Sequence, residues 1–83
     1  LNGRIITFQI LLKNERGVLS AVLNVFARSG ANILTINQGI PLQGVANATV
    51  SLETAELVID LEALLDRLRM IDGVKRLEVL GQA

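Results

Sequence analysis

Three observations in the sequence predict an α+β sandwich of order βαββαβ. Short runs with period-two alternation of apolar and polar residues mark strands, two stretches repeat apolar residues at helical spacing, and a glycine follows each helical stretch. The chain is 83 residues long, room for one domain spanning residues 1–83, and just over half of it is apolar. A chain of this size buries roughly 60 % of its unfolded surface, so its stability margin is thin and self-association is favoured.

The elements follow in order. From Ile5 to Leu12, Ile6, Phe8, Ile10 and Leu12 alternate with Thr7 and Gln9, the pattern of a half-buried strand. Asn14 then stands where a side-chain oxygen could cap a helix. From Gly17 the period changes: Leu19, Val22, Leu23 and Phe26 share one helical face, and Gly30 provides a residue able to end the helix at positive φ. Asn32-Ile33-Leu34-Thr35-Ile36-Asn37 reads as a second strand. Its alternation is imperfect, since Ile33 and Ile36 are both candidates for the core, and a bulge there is one way to seat both.

Gly39 to Gly44 contains the one proline and has turn chemistry. Val45 to Glu53 alternates again, with Ala46, Ala48, Val50 and Leu52 inward, so these two strands form an antiparallel hairpin. Thr54 to Ile59 is ambiguous. Asp60 caps a second helix whose apolar face holds Leu61, Leu64, Leu65, Leu68 and Ile71, and Gly73 ends it. Val74 to Leu80 is a final strand with Leu77 and Val79 inward, followed by a tail, Gly81-Gln82-Ala83.

Right-handed crossovers put both helices on one face of a four-stranded antiparallel sheet, a ferredoxin-like arrangement. The other face carries Thr7, Gln9, Asn47, Thr49 and Ser51 mixed with Ile5, Leu11 and Val45.

Composition narrows the function. Eight basic and eight acidic residues cancel and are interspersed, so there is no phosphate-tracking stripe and no nucleic-acid partner is expected. With no Cys and no His, thiol chemistry, zinc sites and imidazole catalysis are ruled out for this chain. No metal or cofactor is expected. The lack of Cys fits a cytoplasmic protein. No apolar run approaches the roughly 20 residues of a membrane span, so no membrane partner is expected. The start Leu1-Asn2-Gly3 lacks a Met, which suggests the C-terminal part of a longer protein.

Chemistry concentrates at Asn14-Glu15-Arg16-Gly17-Val18-Leu19, where a strand gives way to a helix. The N–H groups of Gly17, Val18 and Leu19 could meet a small anion, with no side chain at Gly17 to obstruct it. The structural alternatives are capping by Asn14 and close backbone packing at Gly17. The exposed-looking tip Ile40-Pro41-Leu42-Gln43 either extends the hairpin or docks another segment or subunit. Arg67, Arg69, Lys75 and Arg76 read as a solvated surface with ion pairs.

Other occupants of this fold do not fit. An RNA-recognition motif needs exposed aromatics on its central strands, and metallochaperones and ferredoxins need cysteines. Asn14-x-x-Gly17-Val18-Leu19 and then Gly30-Ala31-Asn32-Ile33 resemble the signature of ACT domains, small regulatory modules of amino-acid metabolism. The resemblance runs from about Arg4 to Leu80. The run Ile33 to Asn47 is similar to the small single-ACT bacterial proteins of the PheB type, which are associated with phenylalanine biosynthesis and some of which have been labelled chorismate mutases.

The resemblance implies a homodimer or higher homo-oligomer that binds a small-molecule amino acid between copies, with Asn14, Gly17, Val18, Leu19, Asn32 and Ile33 as ligand-binding residues and an enzyme as the regulated partner. In the serine-sensing ACT domains of phosphoglycerate dehydrogenase, ligand contacts match Asn14 and, from the neighbouring subunit, Asn32; a further polar contact falls where this chain has Leu12. That difference favours an apolar ligand, phenylalanine foremost. The family's turn usually reads Asp-x-Pro-Gly, so Asn14 and Arg16 depart from it. The chain order sets the Asn14 turn beside the Gly30–Ile33 turn. No catalytic residue is expected, since Arg4, Lys13, Arg16 and Arg28 are too scattered to hold a dicarboxylate. The alternatives are a dimerisation module without a ligand and a chorismate mutase-like enzyme.

Overall fold

The computed structural model describes residues 4–82. The elements are β1 (Ile5–Lys13), α1 (Val18–Ser29), β2 (Asn32–Gln38), β3 (Val45–Glu53), α2 (Leu61–Arg69) and β4 (Val74–Gln82). The strands form one antiparallel sheet of order β2-β3-β1-β4. This is the ferredoxin-like βαββαβ sandwich that the periodicity predicts.

The core is built from alternate strand residues. Ile6, Phe8, Ile10 and Leu12 of β1 and Ala48, Val50 and Leu52 of β3 meet Val18, Val22 and Phe26 of α1 and Leu64, Leu65 and Leu68 of α2. Phe8 and Phe26 stack with ring centroids 5.8 Å apart, tying the sheet to α1. On the opposite face the Thr7 and Ser51 hydroxyls hydrogen-bond at 2.8 Å across β1 and β3.

Bulges decide which residues of the edge strands face the helices. In β2 the register slips at Leu34, so Ile33 opposite Leu52 and Ile36 opposite Val50 share the helix-facing side. In β4 a slip between Leu11 and Leu12 of β1 lets Val74 and Leu77, three residues apart, both face the helices. Val79 lies opposite Phe8 and so points inward, but it is 43 % exposed because the helices do not cover that end of the edge strand. Gly81 and Gln82, expected as tail, pair with Thr7 and Ile6 and belong to β4; Ala83 lies outside the described residues.

The two helices start and stop differently. At α2 the Ala63 N–H donates to Asp60 Oδ1 at 2.8 Å, as expected of a cap. That helix ends at Arg69, and Gly73, at φ +104, serves the turn into β4 rather than the helix end. At the end of α1, Gly30 has φ +81, and a Cβ there would strike the carbonyl of Glu56. The ambiguous stretch 54–59 is a turn held there by a bond from the Val58 N–H to the Ser29 carbonyl.

Candidate functional site

The turn between β1 and α1 is not capped by Asn14. The residue flanking the helix is Gly17, at φ +88, and no side chain accepts from the first turn. Asn14 sits too far back: its reach of two or three residues ends at Arg16 and Gly17, before the first helical residue. Its own N–H donates to the Gly44 carbonyl at 2.8 Å, continuing the β1–β3 ladder. Gly17 is not a close-packing residue either. Nothing lies within 4 Å of a Cβ built on it, so the left-handed backbone is what favours glycine.

Val18 is also spent on structure. Its N–H donates to the Glu15 carbonyl at 3.3 Å, and its side chain is buried beneath Gly73. Among the described residues the N–H groups of Gly17 and Leu19 have no acceptor. The first turn of α1 carries no acidic residue, whereas α2 has Asp60 and Glu62 at its start. The first turn of α1 therefore supplies no carboxylate to the partial positive charge at its start, about half an elementary charge. Lys13 is paired with Glu15 at 3.4 Å, and both are substantially exposed, so that ion pair contributes little.

Three loops converge at this end of the sheet. Besides the Asn14–Gly44 bond, the Lys13 N–H donates to the Gly73 carbonyl at 2.7 Å. The turn is therefore flanked by the β2–β3 hairpin and the α2–β4 turn. The hairpin closes through Gln43 and Gly44, at φ 52 and 82, with Leu42 and Val45 exchanging both backbone bonds. Ile40 and Leu42 stand out from it at 88 % and 73 % exposure. Periodicity within single elements could not reveal this convergence. The two-residue turn at Gln43-Gly44, extended through the ladder, is the signal that would have placed Gly44 beside Asn14.

Asn32 and Ile33 are elsewhere. Asn32 lies opposite Glu53, and Glu53 opposite Ile5, at the far end of β1 from Lys13. Eight steps along β1, at about 3.4 Å each, separate that end from the Asn14 turn, roughly 27 Å. The expectation that one chain sets the Asn14 turn beside Gly30–Ile33 is thus overturned: α1 carries the chain back along the whole sheet before β2 begins. Asn32 is exposed, and Ile33 packs partly against the core. Leu12, at the base of the turn, is buried in register with Ala46 and Val74.

At this end of the ferredoxin-like sandwich the start of α1 leaves the Gly17 and Leu19 amides without an acceptor among the described residues. The ACT domain profile matches residues 3–78, and the chain belongs to the ACT domain family. It is 58 % identical over 79 residues to the UPF0735 ACT domain-containing protein of Desulfitobacterium hafniense, covering 95 % of this chain and 53 % of that protein. It is 48 % identical over 82 residues to that of Carboxydothermus hydrogenoformans, covering 99 % of this chain and 56 % of the relative. The chain therefore spans about half the length of the curated relatives it matches. Among solved structures, the crystal structure of the ACT domain from GTP pyrophosphokinase of Chlorobium tepidum superimposes with a TM-score of 0.73 at 22 % identity, over 92 % of this chain and 96 % of that one. ACT domains are typically regulatory amino-acid-binding modules. Among the described residues no cluster of acidic side chains is arranged to hold a metal, and no helix is long and apolar enough to cross a membrane.

Proposed function

We propose that this chain is a regulatory domain that binds an amino acid with an apolar side chain, phenylalanine foremost, at the interface between two copies in a cytoplasmic enzyme-regulating protein. The observation that carries the reading is the start of α1, which has neither a side-chain cap nor an acidic residue. A ligand carboxylate there would take the N–H groups of Gly17 and Leu19 and the positive end of the helix dipole. The exposed Asn14 side chain offers an oxygen to the ligand's ammonium group. The exposed Ile40 and Leu42 on the neighbouring hairpin favour an apolar side chain over a polar one. The tie to phenylalanine biosynthesis and to PheB-type proteins rests on the similarity of the Ile33–Asn47 run.

The edge strands support a second copy as the other wall. β4 is guarded against pairing by Lys75, Arg76 and Glu78, while β2, Asn-Ile-Leu-Thr-Ile-Asn-Gln, has no charge and no proline. Two β2 strands pairing antiparallel about a two-fold axis would bring the Asn32 end of one copy to the Asn14 end of the other. The 27 Å that separates the halves within one chain would then be bridged between copies. A ligand held in both halves stabilises the pair and couples binding to assembly.

A thermal-shift panel of the twenty amino acids on the full-length protein tests this. Phenylalanine or a branched-chain amino acid raises the melting temperature and shifts the association equilibrium toward the dimer. A flat response to all twenty overturns the ligand reading and leaves a dimerisation module. Conversion of chorismate to prephenate by the same protein would overturn the non-catalytic assignment.

A further inference from the structure

The helices cover one face of the sheet, and the strand register fixes what the other face presents. Its rows run across the strands at every second residue of β1, from Lys13 at the Asn14 end to Ile5 at the far end. The central strands β1 and β3 each place five side chains there, and only Lys13 in the first row and Glu53 in the fifth are charged. On the edge strand β4, Arg76 lies beside Leu11 in the second row and Glu78 beside Gln9 in the third. β2 adds no charge. Cations therefore stand toward one end of the face and carboxylates toward its middle and the other end.

That pattern is complementary to itself turned end for end. Take a two-fold axis that runs across the strands through the third row, between two faces stacked about 10 Å apart. Row one then meets row five, and row two meets row four. Lys13 of one copy comes to the row of Glu53 in the other. Arg76 comes over Gly81, where open space surrounds the backbone, and beside Glu78 of the other copy. The two Glu78 carboxylates share the axial row, and each gains an Arg76. Within one chain Lys13 already holds Glu15 at 3.4 Å, whereas Glu53, Arg76 and Glu78 have no ion-pair partner among the described residues. The centre of the face is neutral, with Thr7 and Ser51 joined at 2.8 Å, as in an interface core from which charge is excluded.

We propose that the open face of the sheet binds a second copy of this chain, face to face and with the strands reversed. Apolar contact comes from Ile5, 41 % exposed, and from the half-buried Leu11 and Val45. The footprint is roughly 19 by 27 Å, set by strands about 4.8 Å apart and residues about 3.4 Å apart. Two copies therefore bury about 1,000 Å², the size at which specific interfaces begin. This face is distinct from the β2 edge. The axis of edge pairing is perpendicular to the sheet and the axis of face pairing lies parallel to it, so the two contacts together close an assembly of four copies.

The test is sedimentation velocity of the full-length protein over a concentration series. The parent should show an association step that Arg76→Glu and Glu78→Arg each weaken by about tenfold or more, because each reversal sets like charges together. The double swap of Arg76→Glu with Glu78→Arg should recover most of the parent's affinity. Thr49→Arg, which puts a cation on the axial row at the centre of the face, should abolish the step. Circular dichroism of the charge variants should match the parent, since Arg76 and Glu78 are exposed. Pairing through β2 alone gives a dimer that none of these substitutions alters. That result, or a double swap as weak as the single variants, would overturn the proposal.

Discussion

The Asn14 N–H donates to the carbonyl of Gly44 at 2.8 Å, which fastens the turn before α1 to the tip of the β2–β3 hairpin. That bond uses the backbone of Asn14 and leaves its side chain with no structural duty. Asn14→Ala is therefore expected to change stability by no more than about 0.5 kcal/mol. Asp60→Ala, which removes a cap, is expected to cost about 1 kcal/mol. Urea denaturation of the two variants makes the comparison, and a loss at Asn14 as large as that at Asp60 would contradict the geometry.

Glycine positions separate backbone strain from collision. At Gly17, at φ +88 with open space around it, alanine should cost about 1–2 kcal/mol for the left-handed conformation alone. At Gly30 the same conformational cost is joined by a clash with the Glu56 carbonyl, a further cost of about 1–3 kcal/mol. Denaturation midpoints should rank Gly17→Ala above Gly30→Ala.

Ser29 is fully buried, and its hydroxyl has no hydrogen-bond partner among the described residues. Ser29→Ala removes that group while keeping the carbonyl that accepts from Val58, and should raise stability by about 1 kcal/mol. A higher midpoint with an unchanged denaturant slope is the expected result.

Phe26→Ala removes the ring that stacks on Phe8 and opens a cavity between α1 and the sheet, so it should cost about 3–5 kcal/mol. In a domain this small that is a large share of the total, visible as a strongly lowered melting temperature.

Alternation and helical spacing made the sandwich legible, and the broken alternation of Ile33 and Ile36 pointed to the place where the β2 register slips. What stayed hidden was set by pairing between distant elements. Asn14 has the composition of a cap, but the left-handed Gly17 starts the helix three residues later. The slip at Lys75 follows from matching Leu11 to Arg76 and Leu12 to Val74, which no pattern inside β4 announces. Asn14 and Asn32 look close in the order of elements, yet the return path of α1 sets them at opposite ends of the sheet.

That separation makes a site shared between copies directly testable by mixing variants. Asn14→Ala and Asn32→Ala, each purified alone as the full-length protein, should lose binding of the amino acid that the thermal-shift panel selects. Dissociated and reassembled together, they form mixed dimers in which one site joins an intact Asn14 from one copy to an intact Asn32 from the other. Calorimetric titration of that mixture should regain binding at about one site per mixed dimer, whereas a mixture as inactive as its parents would contradict a site built from two copies.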